Sequence, residues 1–381
     1  MISSLQQTFH SLFGDAPAFL VRAPGRVNLI GEHTDYNGGY VLPMALEHSV
    51  WIALRPRADG MVRLYSVEFQ EWVTFSLSRL EREKGWGEYP KGVAWALQEA
   101  GYALKGWEGV LHSQVPIGAG LSSSAALEIA SARAFAATSS LPWDGREMAF
   151  LCQKAENEWV GVPCGIMDQM ASALSRRDHA LFLDCRSLEI RHVPFPSQMT
   201  IVVMDTATRR ELVNSAYNER RRQCERAAQR LGVPSLRHLS LSALEERASA
   251  VHLEEVLYRR ARHVVSENER VLAAVQALER GNAPALGALL DESHRSLDQD
   301  FEVTNQALNE IVASARTHPA CYGARMTGAG FGGCALALVR QDGLEDFMCF
   351  VAEDYLRRSG YQARLYSSYP APGVECFPIR A

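Results

Sequence analysis

A glycine- and serine-rich segment lies in the first half of the chain: Val115-Pro116-Ile117-Gly118-Ala119-Gly120-Leu121-Ser122-Ser123-Ser124-Ala125-Ala126. A strand-like run from Gly109 to Val115 enters it, and a run of small, helix-favouring residues from Ala125 to Ala137 leaves it. Gly118 and Gly120 permit positive φ, and the first turn of a helix presents unpaired N–H groups with partial positive charge. The segment predicts either a phosphate site or a serine cap after a glycine turn.

Two common active-site loops do not match this segment. A Walker A loop continues with Gly-Lys-Ser/Thr, which is missing here, and a hydrolase nucleophile elbow needs a second glycine after the serine. The Ser124 hydroxyl offers an oxygen to Mg²⁺, a hard cation that prefers oxygen ligands.

The composition predicts a chain with a sizeable core and two domains. The 381 residues are 47% hydrophobic and 22% charged. Pro194 and Pro196 mark the best boundary, which gives domains of residues 1–195 and 196–381. The net charge is 39 − 44 = −5, which argues against a nucleic-acid partner.

The cysteines and the N-terminus predict a cytoplasmic protein. Eight cysteines are dispersed without a Cys-x-x-Cys pair, which indicates reduced and mostly buried thiols. No Lys or Arg precedes Arg22, so the basic region of a signal peptide is missing. No apolar run approaches the roughly 18 residues that span a bilayer, so we expect no membrane partner.

A second polar segment follows the first predicted strand. It reads Arg22-Ala23-Pro24-Gly25-Arg26-Val27-Asn28-Leu29-Ile30-Gly31-Glu32-His33-Thr34-Asp35-Tyr36-Asn37-Gly38-Gly39. The acceptors Glu32, His33, Asp35 and Asn37 suit the vicinal hydroxyls of a sugar. A calcium loop fits poorly, because the EF-hand ligand spacing is missing, and an ordinary polar turn stays open. Taken alone, Arg26 would be a surface residue and His33 a structural one.

Three acidic residues near position 160 have more than one interpretation. Asp144 caps a predicted helix with an apolar stripe from Met148 to Trp159, and Glu156 and Glu158 flank the stripe on opposite sides. Helical geometry does not say which of the two is functional. Asp168 follows Gly165 among apolar residues. A carboxylate in such surroundings needs a charged or hydrogen-bonding partner; the alternative is that Asp168 simply begins a helix.

Two aromatic residues and a glycine motif also leave alternatives. Trp86 either stacks on a flat base or packs at a helix start, and Tyr217 would ordinarily be core. The spacing Gly328-x-Gly330-x-x-Gly333 matches a dinucleotide fingerprint literally, but a predicted strand, not a helix, follows it.

Periodicity and turn residues predict the remaining elements. The predicted helices are 3–13, one opening at Tyr89, 209–231, 239–280, 283–297 and 303–317, and the predicted strands are 18–21, 51–54, 62–66, 72–77, 181–184, 200–204 and 334–339. We expect Arg220, Arg221 and Arg222 to form a solvated, ion-paired face.

Three separated motifs resemble one family. The run Arg26 to Asn37 is similar to the galactokinase signature, Pro116 to Ala125 resembles the phosphate loop of the GHMP small-molecule kinases, and Thr327 to Gly333 resembles their third motif. Cys164 to Gln169 and Tyr217-x-x-Arg-Arg match as well, so the likeness covers nearly the whole chain.

The resemblance implies an α+β, two-domain GHMP-kinase fold with its active site in the cleft between the domains. It implies that the chain is a monomer which transfers the γ-phosphoryl group of ATP to the anomeric hydroxyl of galactose. The implied sugar-binding residues are Arg26, Glu32, His33, Thr34, Asp35, Gly165, Asp168 and Tyr217. The implied nucleotide-binding residues are Trp86, Gly118, Ala119, Gly120, Leu121, Ser122, Ser123 and Ser124.

The resemblance also implies chemical roles. Asp168 is similar to the catalytic base and Arg26 to the cation beside it, while Ser124 and Glu156 would hold Mg²⁺; the spacing in the family favours Glu156 over Glu158. Three alternatives remain: a kinase for another sugar such as N-acetylgalactosamine or arabinose, a sugar sensor without activity, and a nicotinamide-binding enzyme.

Overall fold

The computed structural model describes residues 2–116, 118–208 and 213–379, with only the backbone for 213–215. Ile117 of the phosphate loop and Arg209 to Leu212 of the predicted helix 209–231 therefore lie outside the described residues. The α-helices are α1 (Ile2–Phe13), α2 (Glu88–Glu99), α3 (Ser123–Ser139), α4 (Gly145–Lys154), α5 (Met167–Leu174), α6 (Val213–Arg230), α7 (Leu241–Ala250), α8 (Glu255–Glu279), α9 (Ala283–Gln299), α10 (Gln306–Thr317) and α11 (Leu344–Ser359).

The strands form three sheets that accompany these helices. They are β1 (Phe19–Asn28), β2 (Tyr40–Val41), β3 (Pro43–Arg57), β4 (Met61–Ser66), β5 (Glu71–Ser76), β6 (Gly106–Ser113), β7 (His179–Asp184), β8 (Ile190–Pro194), β9 (Met199–Asp205), β10 (Cys321–Thr327), β11 (Cys334–Arg340), β12 (Arg364–Ser368) and β13 (Glu375–Pro378). The mixed α and β composition predicted from the sequence is confirmed.

The sheets tie the two ends of the chain together. The largest has the order β13-β1-β3-β6-β4-β5, so a strand from the C-terminus pairs with the first strand of the chain. A four-stranded sheet has the order β10-β11-β9-β12, and a three-stranded sheet has the order β2-β7-β8. The helix α3 packs against β1 and β3, and its alanine-rich surface allows close packing on the sheet.

Strand β1 is longer than the predicted strand 18–21, because Pro24 and Gly25 do not end it. The pairing with β3 shifts register between Pro24 and Arg26. A bulge tolerates a proline without an N–H and a glycine without a side chain. A Cβ on Gly25 would lie 2.8 Å from the Leu121 carbonyl oxygen, so this glycine lets the phosphate loop approach β1.

One further prediction was wrong in detail. The predicted helix 239–280 is two helices, α7 and α8, because the chain turns at Val251 to Glu254, where His252 has a φ of 47°. Several elements were not predicted from the sequence, namely the strands β2, β8, β10, β12 and β13 and the helix α11. The other predicted helices and strands are present with shifted ends, including α4 capped by the Asp144 side chain.

The two glycine-rich segments occupy different contexts. The phosphate loop connects β6 to α3, as predicted. The segment from Gly328 to Gly333 connects two antiparallel strands, β10 and β11, so it does not open a helix and is not a dinucleotide fingerprint. This arrangement removes the nicotinamide-binding alternative.

The cysteines do not form disulfides in the structure. Three thiols are buried, four are partly buried and Cys349 is exposed, so the prediction of mostly buried thiols holds only in part. No described helix has the length and apolar character to cross a membrane.

Candidate active site

A cavity gathers residues from distant parts of the chain. Its lining residues are Arg26, Glu32, His33, Asp35, Glu156, Gly161, Val162, Pro163, Cys164, Gly165, Met167, Asp168, Tyr217, Asn218, Gly328 and Ala329. These residues come from both sides of the predicted boundary at residue 195. All the residues expected to contact a sugar, except Thr34, line this one cavity.

An arginine and a carboxylate are paired in the cavity wall. Arg26 Nε lies 2.7 Å from Asp168 Oδ1 and Arg26 Nη2 lies 2.7 Å from Asp168 Oδ2. Arg26 Nη1 also donates to the Gly120 carbonyl oxygen at 2.8 Å. Burial opposes the charge of Arg26, but Asp168 and Glu32 outweigh it and raise the pKa of Arg26. A bidentate pair of this kind fixes the plane of the carboxylate.

Asp35 is a carboxyl group in a tight environment. A Cβ on Gly165 would lie 1.7 Å from Asp35 Oδ2, so only glycine fits at position 165. Burial, and then the nearby charge of Asp168, raise the pKa of Asp35 to about 7. At neutral pH the Asp35 carboxyl is therefore protonated in a substantial fraction of the molecules.

His33 and Tyr217 form an aromatic wall of the cavity. Their ring centroids are 5.6 Å apart, and His33 Nδ1 lies 2.9 Å from the Tyr36 hydroxyl. Burial lowers the pKa of His33 to about 3, so its imidazole is neutral at physiological pH. Its buried Nε2 makes no hydrogen bond of good geometry among the described residues, and the backbone of Ala329 is the polar group that interacts with the imidazole besides Tyr36. Tyr217 is thus a cavity residue, although its helix pattern suggested core.

Glu32 is held from the side of the third motif. Its Oε1 accepts from the Thr327 hydroxyl at 2.9 Å and from the Gly328 N–H at 2.8 Å. The buried guanidinium of Arg325 lies 3.6 Å from the same oxygen. These contacts fix one carboxylate oxygen and leave the other available to a ligand.

Thr34 lies outside the cavity that the other predicted sugar-binding residues line. It is fully buried and does not line the cavity. Its hydroxyl is hydrogen-bonded to the carbonyl oxygens of Gly31 at 2.8 Å and Tyr40 at 2.6 Å. Thr34 therefore holds the loop that carries His33 and Asp35, because its only polar side-chain atom is already used.

The phosphate loop has the predicted backbone conformation. Gly118 and Gly120 have φ values of 70° and 78°, and Ser122 has a φ of 59° although it carries a side chain. The side chains of Ala119 and Leu121 are buried in the core, so these two residues offer only backbone groups to a ligand. A Cβ on Gly328 would lie 3.1 Å from the Gly120 carbonyl oxygen, which shows how closely the third motif packs on this loop.

Glu156 is buried in a polar cluster, whereas Glu158 is exposed. The helix α4 passes into a π-helical turn, Ala155–Val160, that carries both residues. Glu156 Oε2 accepts from Gln169 Nε2 at 2.7 Å and from the Cys164 thiol at 3.1 Å, and the Ser124 hydroxyl also hydrogen-bonds to this carboxylate. Burial raises the pKa of Glu156. The structure thus separates the two residues that helical geometry left equivalent.

The oxygen ligands at Ser124 and Glu156 fit Mg²⁺. The two side chains are in contact and supply one hydroxyl and one carboxylate. Within residues 2–116, 118–208 and 213–379, no three His, Cys, Asp or Glu side chains cluster as a metal site. This small ligand set suits Mg²⁺, which binds through one or two carboxylates and substrate phosphates while keeping waters.

Ser124 also lines a second cavity, separate from the first. Its lining residues are Val50, Glu68, Phe69, Trp86, Tyr89, Leu111, Ser113, Ser123, Ser124 and Leu127. The rings of Phe69 and Trp86 are nearly parallel, with centroids 6.0 Å apart and an interplanar angle of 13°. Flat aromatic faces beside the phosphate loop suit a nucleotide base.

Some site residues were not predicted from the sequence. Gln169 Nε2 also donates to Glu128 Oε2 at 3.0 Å, and Glu128 is fully buried on α3. Burial, and then the neighbouring Glu156, raise the pKa of Glu128 well above its usual range. The available signal was a single carboxylate in the apolar run 125–137, because a buried carboxylate needs a partner.

Three family models match the chain. The galactokinase galactose-binding signature matches residues 7–56, the GHMP kinases N terminal domain matches 88–176, and the GHMP kinases C terminal model matches 274–355. A galactokinase of Roseiflexus sp. (strain RS-1) is 44% identical, with 97% of this chain and 96% of the relative covered. A galactokinase of Chloroflexus aurantiacus is 42% identical, with 98% of this chain and 97% of the relative covered.

Solved structures agree with these matches. The structure of Lactococcus lactis galactokinase complexed with galactose has a TM-score of 0.94 and 38% identity, with 98% of this chain and 99% of that chain covered. Mevalonate kinase of Methanococcus jannaschii shares the fold, with a TM-score of 0.67 at 17% identity. The match covers 92% of this chain and 98% of that chain. The chain therefore belongs to the galactokinase family, whose members are ATP-dependent sugar kinases of the GHMP kinase fold.

Proposed function

We propose that this galactokinase-family chain transfers the γ-phosphoryl group of ATP to the anomeric hydroxyl of galactose, with Asp168 as the base and Arg26 as its cation. The observation that carries the proposal is the bidentate Arg26–Asp168 pair, which contacts the phosphate loop through the Gly120 carbonyl oxygen. The pair thereby lies between the cavity proposed for the sugar and the loop proposed for the phosphates.

The proposed chemistry follows from this pair. Asp168 accepts the proton of the attacking hydroxyl, while Arg26 orients the Asp168 carboxylate and stabilises the negative charge that develops on the sugar oxygen. In a loose phosphoryl-transfer transition state, catalysis consists mainly of alignment and neutralisation of charge on the moving group.

The phosphate loop would hold the nucleotide through its backbone. Residues 118–124 present N–H groups at the start of α3, and the positive end of that helix favours an anion. Mg²⁺ held by Ser124 and Glu156 would supply positive charge to the transferred phosphoryl group. Trp86 and Phe69 would take the base in the second cavity, because their flat rings lie beside Ser123 and Ser124.

The sugar would be selected by buried polar groups. Glu32 has an oxygen outside the contacts with Thr327 and Gly328, and His33 Nε2 and Asp35 face the same cavity. Gly165 and Tyr217 complete its walls. A site that pairs a substrate hydroxyl rejects an analogue lacking it by roughly 10⁴ to 10⁵, because its own polar groups are left unpaired.

Because the lining residues come from both sides of the boundary at residue 195, we propose that the cavity is the cleft between two domains, and we expect a monomer to be the working unit. Light scattering of the purified protein tests the second point, and a dimer would contradict it.

A coupled assay of ADP release across several sugars tests the proposed reaction. We expect ADP release that requires both galactose and Mg²⁺, with a much lower rate on glucose. Faster release with N-acetylgalactosamine or arabinose would assign the chain to another sugar. Galactose binding without any ADP release would make it a sensor, and equal rates on glucose and galactose would contradict the proposed selection.

A further inference from the structure

We infer that Ser122 is a positioning residue that connects the phosphate loop to Asp168 and determines which carboxylate oxygen receives the substrate proton. The inference rests on the proposed role of Asp168. Ser122 would otherwise be one more hydroxyl donor to the nucleotide phosphates. Its backbone and its side chain both argue for the different role.

The backbone of Ser122 is unusual for its position. Ser122 is the N-cap residue of α3, yet it has φ 59° and ψ 49° and its side chain makes no capping hydrogen bond. A serine at an N-cap ordinarily has an extended backbone and accepts a hydrogen bond from the first turn. The left-handed conformation favours glycine. Ser122 therefore has an unfavourable backbone conformation without the stabilisation of a capping hydrogen bond. This indicates that its hydroxyl serves a contact other than capping the helix.

The Ser122 hydroxyl hydrogen-bonds to Asp168. Ser122 Oγ donates to Asp168 Oδ2, the oxygen that also accepts from Arg26 Nη2 at 2.7 Å. Asp168 Oδ1 accepts from Arg26 Nε at 2.7 Å and has no second donor among the described residues. Each carboxylate oxygen has two lone pairs. Oδ2 is therefore filled, and Oδ1 keeps one acceptor position for a substrate hydroxyl.

Both groups that hold Asp168 are connected to the same loop. Arg26 Nη1 donates to the Gly120 carbonyl oxygen at 2.8 Å, two residues before Ser122. A movement of the loop would therefore reach Asp168 through Arg26 and through Ser122. The Ser122 hydroxyl has one proton, so while it donates to Asp168 it cannot donate to a phosphate.

Other titratable groups surround Asp168, so each Ser122 variant must be compared with the wild type at one fixed pH. They are Arg26 on β1, Asp35 between β1 and β2, Glu128 on α3, Glu156 in the π-helical turn, Cys164 before α5 and Tyr217 on α6. Substitution of Ser122 removes none of these groups.

The test compares Ser122→Ala with Ser122→Gly in the full chain. Both variants remove the hydroxyl, but only glycine suits the left-handed backbone. We expect kcat on galactose to fall at least about tenfold in both, the equivalent of one lost hydrogen bond to a charged group. The KM for ATP should stay within about threefold, because binding of the nucleotide is not what the hydroxyl supports.

The double variant Ser122→Ala/Asp168→Asn separates this inference from the proposed function. If Ser122 acts through Asp168, the double variant is no slower than Asp168→Asn alone. Wild-type kcat in Ser122→Gly, or a large rise in the KM for ATP with kcat unchanged, would overturn the inference. Near-normal turnover of Asp168→Asn would instead overturn the proposed role of Asp168, whatever the serine variants do.

Discussion

Arg26 donates to both carboxylate oxygens of Asp168, at 2.7 Å each, although the two residues are 142 positions apart in the sequence. Arg26 lies on β1 and Asp168 in the first turn of α5, so the fold brings a strand and a helix together to make this pair. Such bidentate pairing holds a carboxylate in one orientation. It is the feature on which the proposed reaction depends.

Asp168→Asn should remove the base and keep the nucleotide site. Because a positioned base contributes about 10² to 10⁴ in rate, we expect kcat to fall at least about 10²-fold with ATP affinity nearly unchanged. Steady-state kinetics and ATP titration measure both quantities. Asp342→Asn, at an exposed position that pairs only with its neighbour Arg340, serves as the control and should behave as wild type. Normal turnover of Asp168→Asn would remove Asp168 from the role.

Glu156→Gln should weaken metal use, whereas Glu158→Gln should not. The buried Glu156 carboxylate contacts Ser124, and Glu158 on the same turn is exposed. We expect the Mg²⁺ concentration for half-maximal activity to rise at least about tenfold in Glu156→Gln, and to rise also in Ser124→Ala. Binding of Mn²⁺ in the presence of nucleotide, followed by electron paramagnetic resonance, gives a readout independent of turnover. Equal metal titrations for the two glutamate variants would refute the assignment.

Trp86→Ala should affect ATP more than galactose. Stacking of a base on an aromatic ring contributes about 1–3 kcal/mol, so we expect the KM for ATP to rise roughly 5- to 100-fold. The KM for galactose should stay close to that of the wild type, because Trp86 lines the second cavity and not the first. Trp72→Ala removes an exposed tryptophan outside both cavities and is the matched control. A rise in the galactose KM alone would place the base elsewhere.

Asp35→Asn should change how stability depends on pH. The pKa of Asp35 is raised from 3.8 to about 7 in the folded protein, mainly by burial. Protonation of Asp35 therefore favours the folded state. This contribution to stability is complete at a pH below 3.8, the pKa of the group in the unfolded chain, and it is lost as the pH rises through about 7. Since asparagine does not ionise, the Tm of Asp35→Asn relative to wild type should be about 2–4 °C more favourable at pH 8 than at pH 5.

Asp59→Asn is the control for this comparison. Asp59 pairs with Arg57, and that hydrogen bond lowers the pKa of Asp59 to about 2, so the group is ionised at both pH values. Its substitution should give the same Tm difference at pH 5 and pH 8. Identical behaviour of Asp35→Asn and Asp59→Asn in thermal melts would show that Asp35 does not titrate in this range.

The sequence predicted the site residues that lie in short motifs, and the structure adds the contacts between motifs. Positive φ at Gly118 and Gly120 follows from local chemistry and was predicted. The contact between Gly165 and Asp35, and the bond from Ser122 to Asp168, join residues far apart in the chain. Periodicity describes one element at a time, so it does not give such contacts.

The differences between prediction and structure have the same origin. Thr34 lies within the sugar motif, but its hydroxyl is hydrogen-bonded to the carbonyl oxygens of Gly31 and Tyr40, which only the folded loop brings near. The predicted helix 239–280 was wrong because the break between α7 and α8 has no glycine or proline to mark it. Helical geometry left Glu156 and Glu158 open, and in the structure a π-helical turn carries both residues, of which only Glu156 is buried.

A crystal structure of this chain with galactose and a non-hydrolysable ATP analogue tests the central claim most directly. We expect the anomeric oxygen of galactose to lie within roughly 2.6–3.2 Å of Asp168 Oδ1, and the nucleotide phosphates to contact the backbone of residues 118–124. A nucleotide bound away from this loop, or a sugar with its anomeric carbon turned away from Asp168, would contradict it.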